Sequence, residues 1–413
     1  MPSPQHTLKL LQEFSIPLIG GVLGALIWAN VDPHGYHHFI HFSPLGEDSH
    51  LNFHFVMNDL FMALFFGIAA KEITEAALPG GALNPPKKAI NPLMGTLGGV
   101  FGPVAVYLLY VAISGQSDIA NGWGIPTATD IALAWLVARL CFGASHPAVS
   151  FLLLLAVADD AIGLGIIAIF YPDPHNPVAP VWLALVVVAC LLAYALRKKN
   201  VQNYWAYLLG PGVLSWAGLF FAHLHPSLAL VAVVPFMPAS AHDEGLFAET
   251  ADDHHAHSDT LNRFEHDFKV FVDFGLAGFG LANAGVELSS IGHATWAVLA
   301  GLILGKSVGI FLFSMVADRA GFKLPEGMNG KSLAVAGLIA GLGLTVALFV
   351  AGVAFTDAVL QGSAKMGALF SVAVVPLALI SAKLLKVKEL APASGDASAS
   401  RPDIPDHRSS PAE

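Results

Sequence analysis

Residues Phe151–Tyr171 read FLLLLAVADDAIGLGIIAIFY. At about 1.5 Å of rise per residue, a helix of this length crosses a hydrocarbon core of about 30 Å. Asp159 and Asp160 then lie near the midplane, where a single carboxylate costs ~2.5–3.5 kcal/mol to insert. Two in succession have no evident structural use, so the pair is the strongest functional pointer in the chain.

Working outward, the composition agrees with a polytopic membrane protein. Of 413 residues, 55% are hydrophobic and only 12% charged, and mean hydropathy is +0.64. Glycine is abundant, as expected where helices approach closely in lipid. Counting apolar spans of about 20 residues gives twelve, centred near Gly24, Phe65, Gly102, Leu133, Gly163, Val187, Trp216, Val231, Ala277, Leu304, Val346 and Val374. The eighth, over 225–238, is the shortest. The first lacks a small-x-small cleavage site and reads as an uncleaved helix.

Lysine and arginine fall on alternate connections: Lys9; Lys71, Lys87 and Lys88; Arg139; Arg197, Lys198 and Lys199; Arg263; Arg319, Lys323 and Lys331; Lys383, Lys386 and Lys388. Lys365 is the exception. The alternation predicts an even number of spans with both termini in the cytoplasm. The expected organisation is a cytoplasmic segment 1–13, a twelve-span domain 14–385 and a disordered cytoplasmic tail 386–413. An acidic, His-rich cytoplasmic loop, 241–266, interrupts the domain.

The net charge of −10 resides mostly in tails and loops. No basic patch points to nucleic acid, and Cys141 and Cys190, within or at the ends of spans, argue against a disulfide framework. The His254-His255-x-His257 cluster has no helix or cysteine to fix metal geometry and reads as a solvated loop. Outside the membrane, Tyr36–Phe42 and His50–Phe55 alternate apolar and polar residues around Pro44-Leu45-Gly46-Glu47. That period predicts either a small external β-hairpin or an irregular His-rich loop.

Further polar residues fall at matching depth. Asp130 is ninth in Gly122–Phe142, Lys306 is eleventh in Trp296–Val316, and Gly341-Leu342-Gly343-Leu344-Thr345 sits mid-span. Pro126–Asp130 and Gly341–Thr345 read as helix interruptions: proline removes a donor, glycine tolerates unwound backbone, and Thr and Asp cap a restarting helix. Asp130 would offset the positive end of that helix. Paired broken helices at the midplane are the signature of secondary transporters built from repeats. Either kink alone is ordinary for a membrane helix; two kinks level with four ionisable residues are not.

Neighbouring residues on a helix point about 100° apart, so one aspartate faces a cavity while the other meets a partner. Lys306 is the only lysine or arginine at this depth. Desolvation and mutual repulsion disfavour a doubly ionised pair, so a proton and a small hard cation compete for the same oxygens.

These motifs resemble the NhaA-type Na⁺/H⁺ antiporter family. The matching segments are Gly20-Gly21 to Ala29-Asn30, Asn58-Asp59 to Phe65-Phe66, Ile125–Ala132 (IPTATDIA), Asp159-Asp160, Asn283-Ala284-Gly285-Val286 and Leu304-Gly305-Lys306. Together they cover about residues 14 to 385. The resemblance implies an all-α protein of twelve spans with an inverted repeat and two crossing interrupted helices. It implies Asp160 as principal Na⁺ ligand, Asp159 paired with Lys306, and Thr129 and Asp130 at the crossing. It also implies a homodimer in lipid and electrogenic exchange of cytoplasmic Na⁺ or Li⁺ for external protons, with no cofactor. Glu265, His266 and His225 resemble positions tied to pH response. The chain departs at Ala69-Ala70-Lys71-Glu72-Ile73, where the family commonly has Glu-Val-Lys-Arg-Glu. It departs again at Lys269, where a histidine is common, and in its long acidic loop.

Three other functions compete. An intramembrane aspartyl protease using Asp130 and Asp160 lacks a Gly-x-Gly-Asp motif at either aspartate, and the lysine at that level suppresses a shared proton. A non-transporting sensor would have lost a core charge, and none is missing. A Na⁺-coupled solute symporter is the nearest rival.

Overall fold

The computed structural model describes residues 15–387 apart from 45, 47–50, 80, 82, 84–85, 173–175 and 240–258. The segments 1–13 and 388–413, and with them His242, His254, His255 and His257, lie outside the described residues. Every regular element among the described residues is helical. The chain runs through α1 (Ile16–Val31), α2 (Pro33–His41), α3 (Phe53–Ala77) and α4 (Pro86–Ser114). A 3-10 stretch (Ser117–Thr127) leads into α5 (Ile131–Phe142), α6 (Pro147–Phe170) and α7 (Pro180–Lys198). Tyr204–Tyr207 and a π stretch, Leu208–Gly212, then enter α8 (Val213–Phe221). The remainder is α9 (Thr260–Asn283), α10 (His293–Arg319), α11 (Gly330–Ile339), α12 (Thr345–Ala354) and α13 (Ala358–Leu384).

By length and composition, six of these helices (α3, α4, α6, α7, α10 and α13) can each cross a membrane. The 3-10 stretch and α5 together make a seventh candidate, bent by 61°. The molecule is arranged for an apolar surround. Helix α7 leaves Val181, Val187, Val188, Leu191 and Leu192 exposed, while Asp130, Asp159, Asp160 and Lys306 are buried. Lipid tails tolerate exposed aliphatic side chains, and ionisable groups retreat to the interior of the bundle.

Association of helices in lipid relies on close van der Waals approach rather than a hydrophobic drive. The α4–α10 pair shows how far this goes. A Cβ on Gly98 would lie 2.1 Å from the Gly309 carbonyl oxygen, and one on Gly309 only 2.0 Å from that of Gly98. No side chain fits there, so the glycines bring the backbones together and set Lys306 at the heart of the bundle.

Two expectations change. The alternating segment expected as one arm of a β-hairpin is instead helix α2, which holds Tyr36 and His37 through His41. Asp32 caps it by accepting from Gly35 N at 2.9 Å, and Pro33 occupies its first position. A capped proline start favours a helix whatever the hydrophobic period downstream. Second, 225–238 forms no regular α-helix but tight turns around 3-10 segments at Pro226–Leu228 and Val234–Phe236. Pro226, Pro235 and Pro238 each disfavour the α-region in the preceding residue.

Candidate functional site

The 3-10 stretch ends at Thr127, Ala128 is extended, and α5 begins only after Asp130. On the other side of the centre, α11 ends at Ile339 and α12 begins at Thr345. The two breaks meet. Asp130 N donates to Leu342 O at 2.7 Å, and Thr129 Oγ1 lies 3.1 Å from Ala340 O. Backbone groups freed by each interruption are thus satisfied by the other, as burial demands. Glycine is needed here too: a Cβ on Gly343 would stand 2.9 Å from Ala128 O.

Asp130 ties the crossing together. Its Oδ1 accepts from Leu133 N at 3.1 Å, capping α5, and its Oδ2 accepts from Thr345 N and Oγ1 at 3.3 and 3.1 Å, capping α12. One carboxylate therefore faces the positive ends of two helices, where negative charge is favoured.

Lys306 follows a π stretch, Gly301–Gly305, within α10. Its ammonium donates to Asp159 Oδ2 and, at 2.6 Å, to Thr129 Oγ1. Thr129 Oγ1 in turn lies 2.8 Å from Asp159 Oδ2, so threonine, lysine and aspartate form a closed trio. Asp159 and Lys306 are both fully buried. Asp160, one position on, has no hydrogen bond or ion pair among the described residues, and its Oδ1 is buried without a partner. The centre thus holds three carboxylates and one ammonium, with Asp160 the carboxylate that nothing neutralises. Such an imbalance favours a cation or a proton at that position.

Two closures bracket this centre. Towards the loops after α8 and α12, the Phe349 ring meets Phe66 edge-on, centroids 5.4 Å apart, and His225 at 5.9 Å. His225 Nε2 also lies 2.5 Å from Tyr171 O. At the opposite end, Lys71 is buried among Glu72 (3.3 Å), Glu75 (2.7 Å) and Glu265 (2.5 Å), with Lys269 reaching Glu265 at 3.5 Å.

The expected site residues therefore separate. Asp159, Thr129 and Lys306 are joined by direct contacts, and Asp130 and Asp160 adjoin Thr129 and Asp159 in sequence. Glu265 belongs to a buried cluster at the far end of α3, His225 to the opposite closure, and His266 is exposed beside Asp267. Sequence reasoning missed Thr345 as a partner of Asp130, and Glu72 and Glu75 as partners of Lys71. The Lys71–Glu75 spacing of four on one helix is a signal that finds the second pair.

An all-helical bundle with membrane-capable helices and a charged interior defines the class: a multi-pass membrane protein. The chain belongs to the Na⁺/H⁺ antiporter 1 family, whose model matches residues 6–383. It is 59% identical to the Na(+)/H(+) antiporter NhaA of Desulfitobacterium hafniense (strain DSM 10664 / DCB-2), over 94% of this chain and 99% of that protein. It is 59% identical to the Na(+)/H(+) antiporter NhaA of Geobacter sulfurreducens, over 93% and 99%, and 46% identical to that of Jannaschia sp., over 92% and 98%. The family is one of transporters, not enzymes.

Proposed function

We propose that the chain is a secondary antiporter that exchanges cytoplasmic Na⁺ or Li⁺ for external protons. The observation that carries this reading is Asp160, a buried carboxylate with no partner beside a neutralised Asp159–Lys306 pair. Two bound states satisfy it, a proton or a small hard cation, and each excludes the other. Exchange follows if the bundle opens to one side at a time. Thr129 positions the trio, and Asp130 keeps the two breaks in register while the surrounding helices move.

The same reading takes the chain across the membrane twelve times. The six long helices, the two interrupted pairs, α1, α8, α9 and the turns over 226–236 supply these crossings. The inverted repeat relates the third-to-fifth to the tenth-to-twelfth spans, both termini lie in the cytoplasm of a bacterial inner membrane, and two copies associate. The closure at Phe349 then faces outwards and the Lys71 cluster inwards. Lys71, Glu72, Glu75 and Glu265, three carboxylates around one buried ammonium, are the inner groups placed to respond to pH, with His225 on the outer side and His266 as an exposed neighbour. A protease is disfavoured because Asp130 is committed to two helix caps.

The test is reconstitution in liposomes with a pH-sensitive dye inside. Added Na⁺ or Li⁺ should change the internal pH in wild type, and Asp160→Asn, which keeps size but loses charge, should abolish the response while inserting normally. Wild-type exchange by Asp160→Asn sinks the assignment. A requirement for an organic solute would favour the symporter.

A further inference from the structure

Beside His225 of the outer closure is a cavity of about 570 Å³ whose lining includes Asp59, Asn176, His223, His225, Thr356 and Gln361. Asp59 lies in a π stretch, Val56–Phe61, at the start of α3, and its backbone carbonyl accepts from Trp216 Nε1 at 3.1 Å. Its carboxylate has no hydrogen bond or ion pair among the described residues. Among the described residues, the lining contains no lysine or arginine. Gln361 spends its amide N–H groups on Gly352 O (2.8 Å) and Phe355 O (3.4 Å), which leaves its carbonyl oxygen as an acceptor. Thr356 adds a hydroxyl to the same wall.

A carboxylate half-withdrawn from water with no cation beside it is unfavourable unless something charged shares the cavity. The wall supplies oxygen donors, the chemistry that hard monovalent cations select. Dimensions matter as well: the space accommodates an ion with part of its water shell. Neither Thr345 nor Asp160 is among the residues that line this space; His225, which does line it, is in ring contact with the buried Phe349, one turn along α12 from Thr345. An ion at Asp59 is therefore not an ion at Asp160.

We propose that Asp59 anchors a second, outer site for a small hard monovalent cation, a staging post that holds a partly hydrated ion outside the Phe349 closure. This rests on the antiport reading and its orientation. A single carboxylate in a low-dielectric mouth raises the local cation concentration, so it lowers the concentration needed from the outer side and leaves the inner side to Asp160.

The experiment compares right-side-out with everted membrane vesicles containing the full-length protein, and measures KM for Na⁺ from each side. In Asp59→Asn the ratio of outer to inner KM should rise about five-fold, the effect of removing one charge at contact distance, and Asp59→Glu should restore it. A ratio that stays at the wild-type value overturns the proposal. So does a thallous-ion soak of wild-type crystals that shows no anomalous peak at Asp59, a reading that needs no variant to fold. Absence of any Na⁺-coupled proton movement in wild-type vesicles would instead overturn the antiport reading.

Discussion

Asp159 and Lys306 are both excluded from water, and their energetics follow from that exclusion. Removing one member of a buried pair strands the other's charge, at a cost of roughly 3–5 kcal/mol, whereas removing both often costs little. Asp159→Asn and Lys306→Gln should each lower the melting temperature in detergent, and the double variant should recover much of the loss. Additive losses would show that the two side chains do not interact. Depth along each span puts Lys306 level with the aspartates in the sequence alone. Which aspartate it meets depends on the rotation of α6 about its axis, which no linear pattern contains. The bond from Thr345 Oγ1 to Asp130, across 215 residues, is likewise beyond local reading. Breaks foretold from Pro126 and Gly341 say that backbone groups are freed, not where they find partners.

Between elements, steric fit decides more than chemistry. Gly309→Ala puts a methyl group 2.0 Å from a backbone oxygen of α4, which has no rotamer by which to yield. Overpacking of this kind costs ~1–3 kcal/mol or more, so the variant should melt several degrees below wild type. Gly20→Ala on α1, where the added atom meets nothing within 4 Å, is the control and should match wild type or exceed it. Equal melting of the two variants would contradict the close approach of α4 and α10. Helical spans were legible here because about 20 consecutive apolar residues have few alternatives in lipid. The segment Tyr36–Phe42 was not, because its alternation of apolar and polar residues ran against a local cap. Asp32 and Pro33 start a helix on three residues, and a period-two pattern seven residues long cannot override them.

Across the whole molecule, two consequences of the proposed cycle can be measured. If both aspartates load protons against one Na⁺, each cycle moves net positive charge inwards. At ~2.3 kcal/mol per charge per 100 mV, that sustains roughly a fifty-fold Na⁺ gradient. Exchange should therefore quicken when liposomes are given an inside-negative potential in the matching orientation, and rates indifferent to potential would contradict it. The second consequence concerns pH. Histidines at 242, 254, 255 and 257 stand among acidic residues in the connection before α9. The buried Lys71 cluster already joins α3 to the first turns of α9 through Glu265, independently of that connection. The length of a connection between helices changes stability little, so deleting Ala241–Ser258 while keeping Phe264-Glu265-His266 should leave the pH–activity profile in place. A shift of about half a unit or more, measured in liposomes, would make the histidines regulators. The carboxylates at Asp159, Asp160 and Glu265 are untouched by the deletion, so any such movement would have to come from the loop.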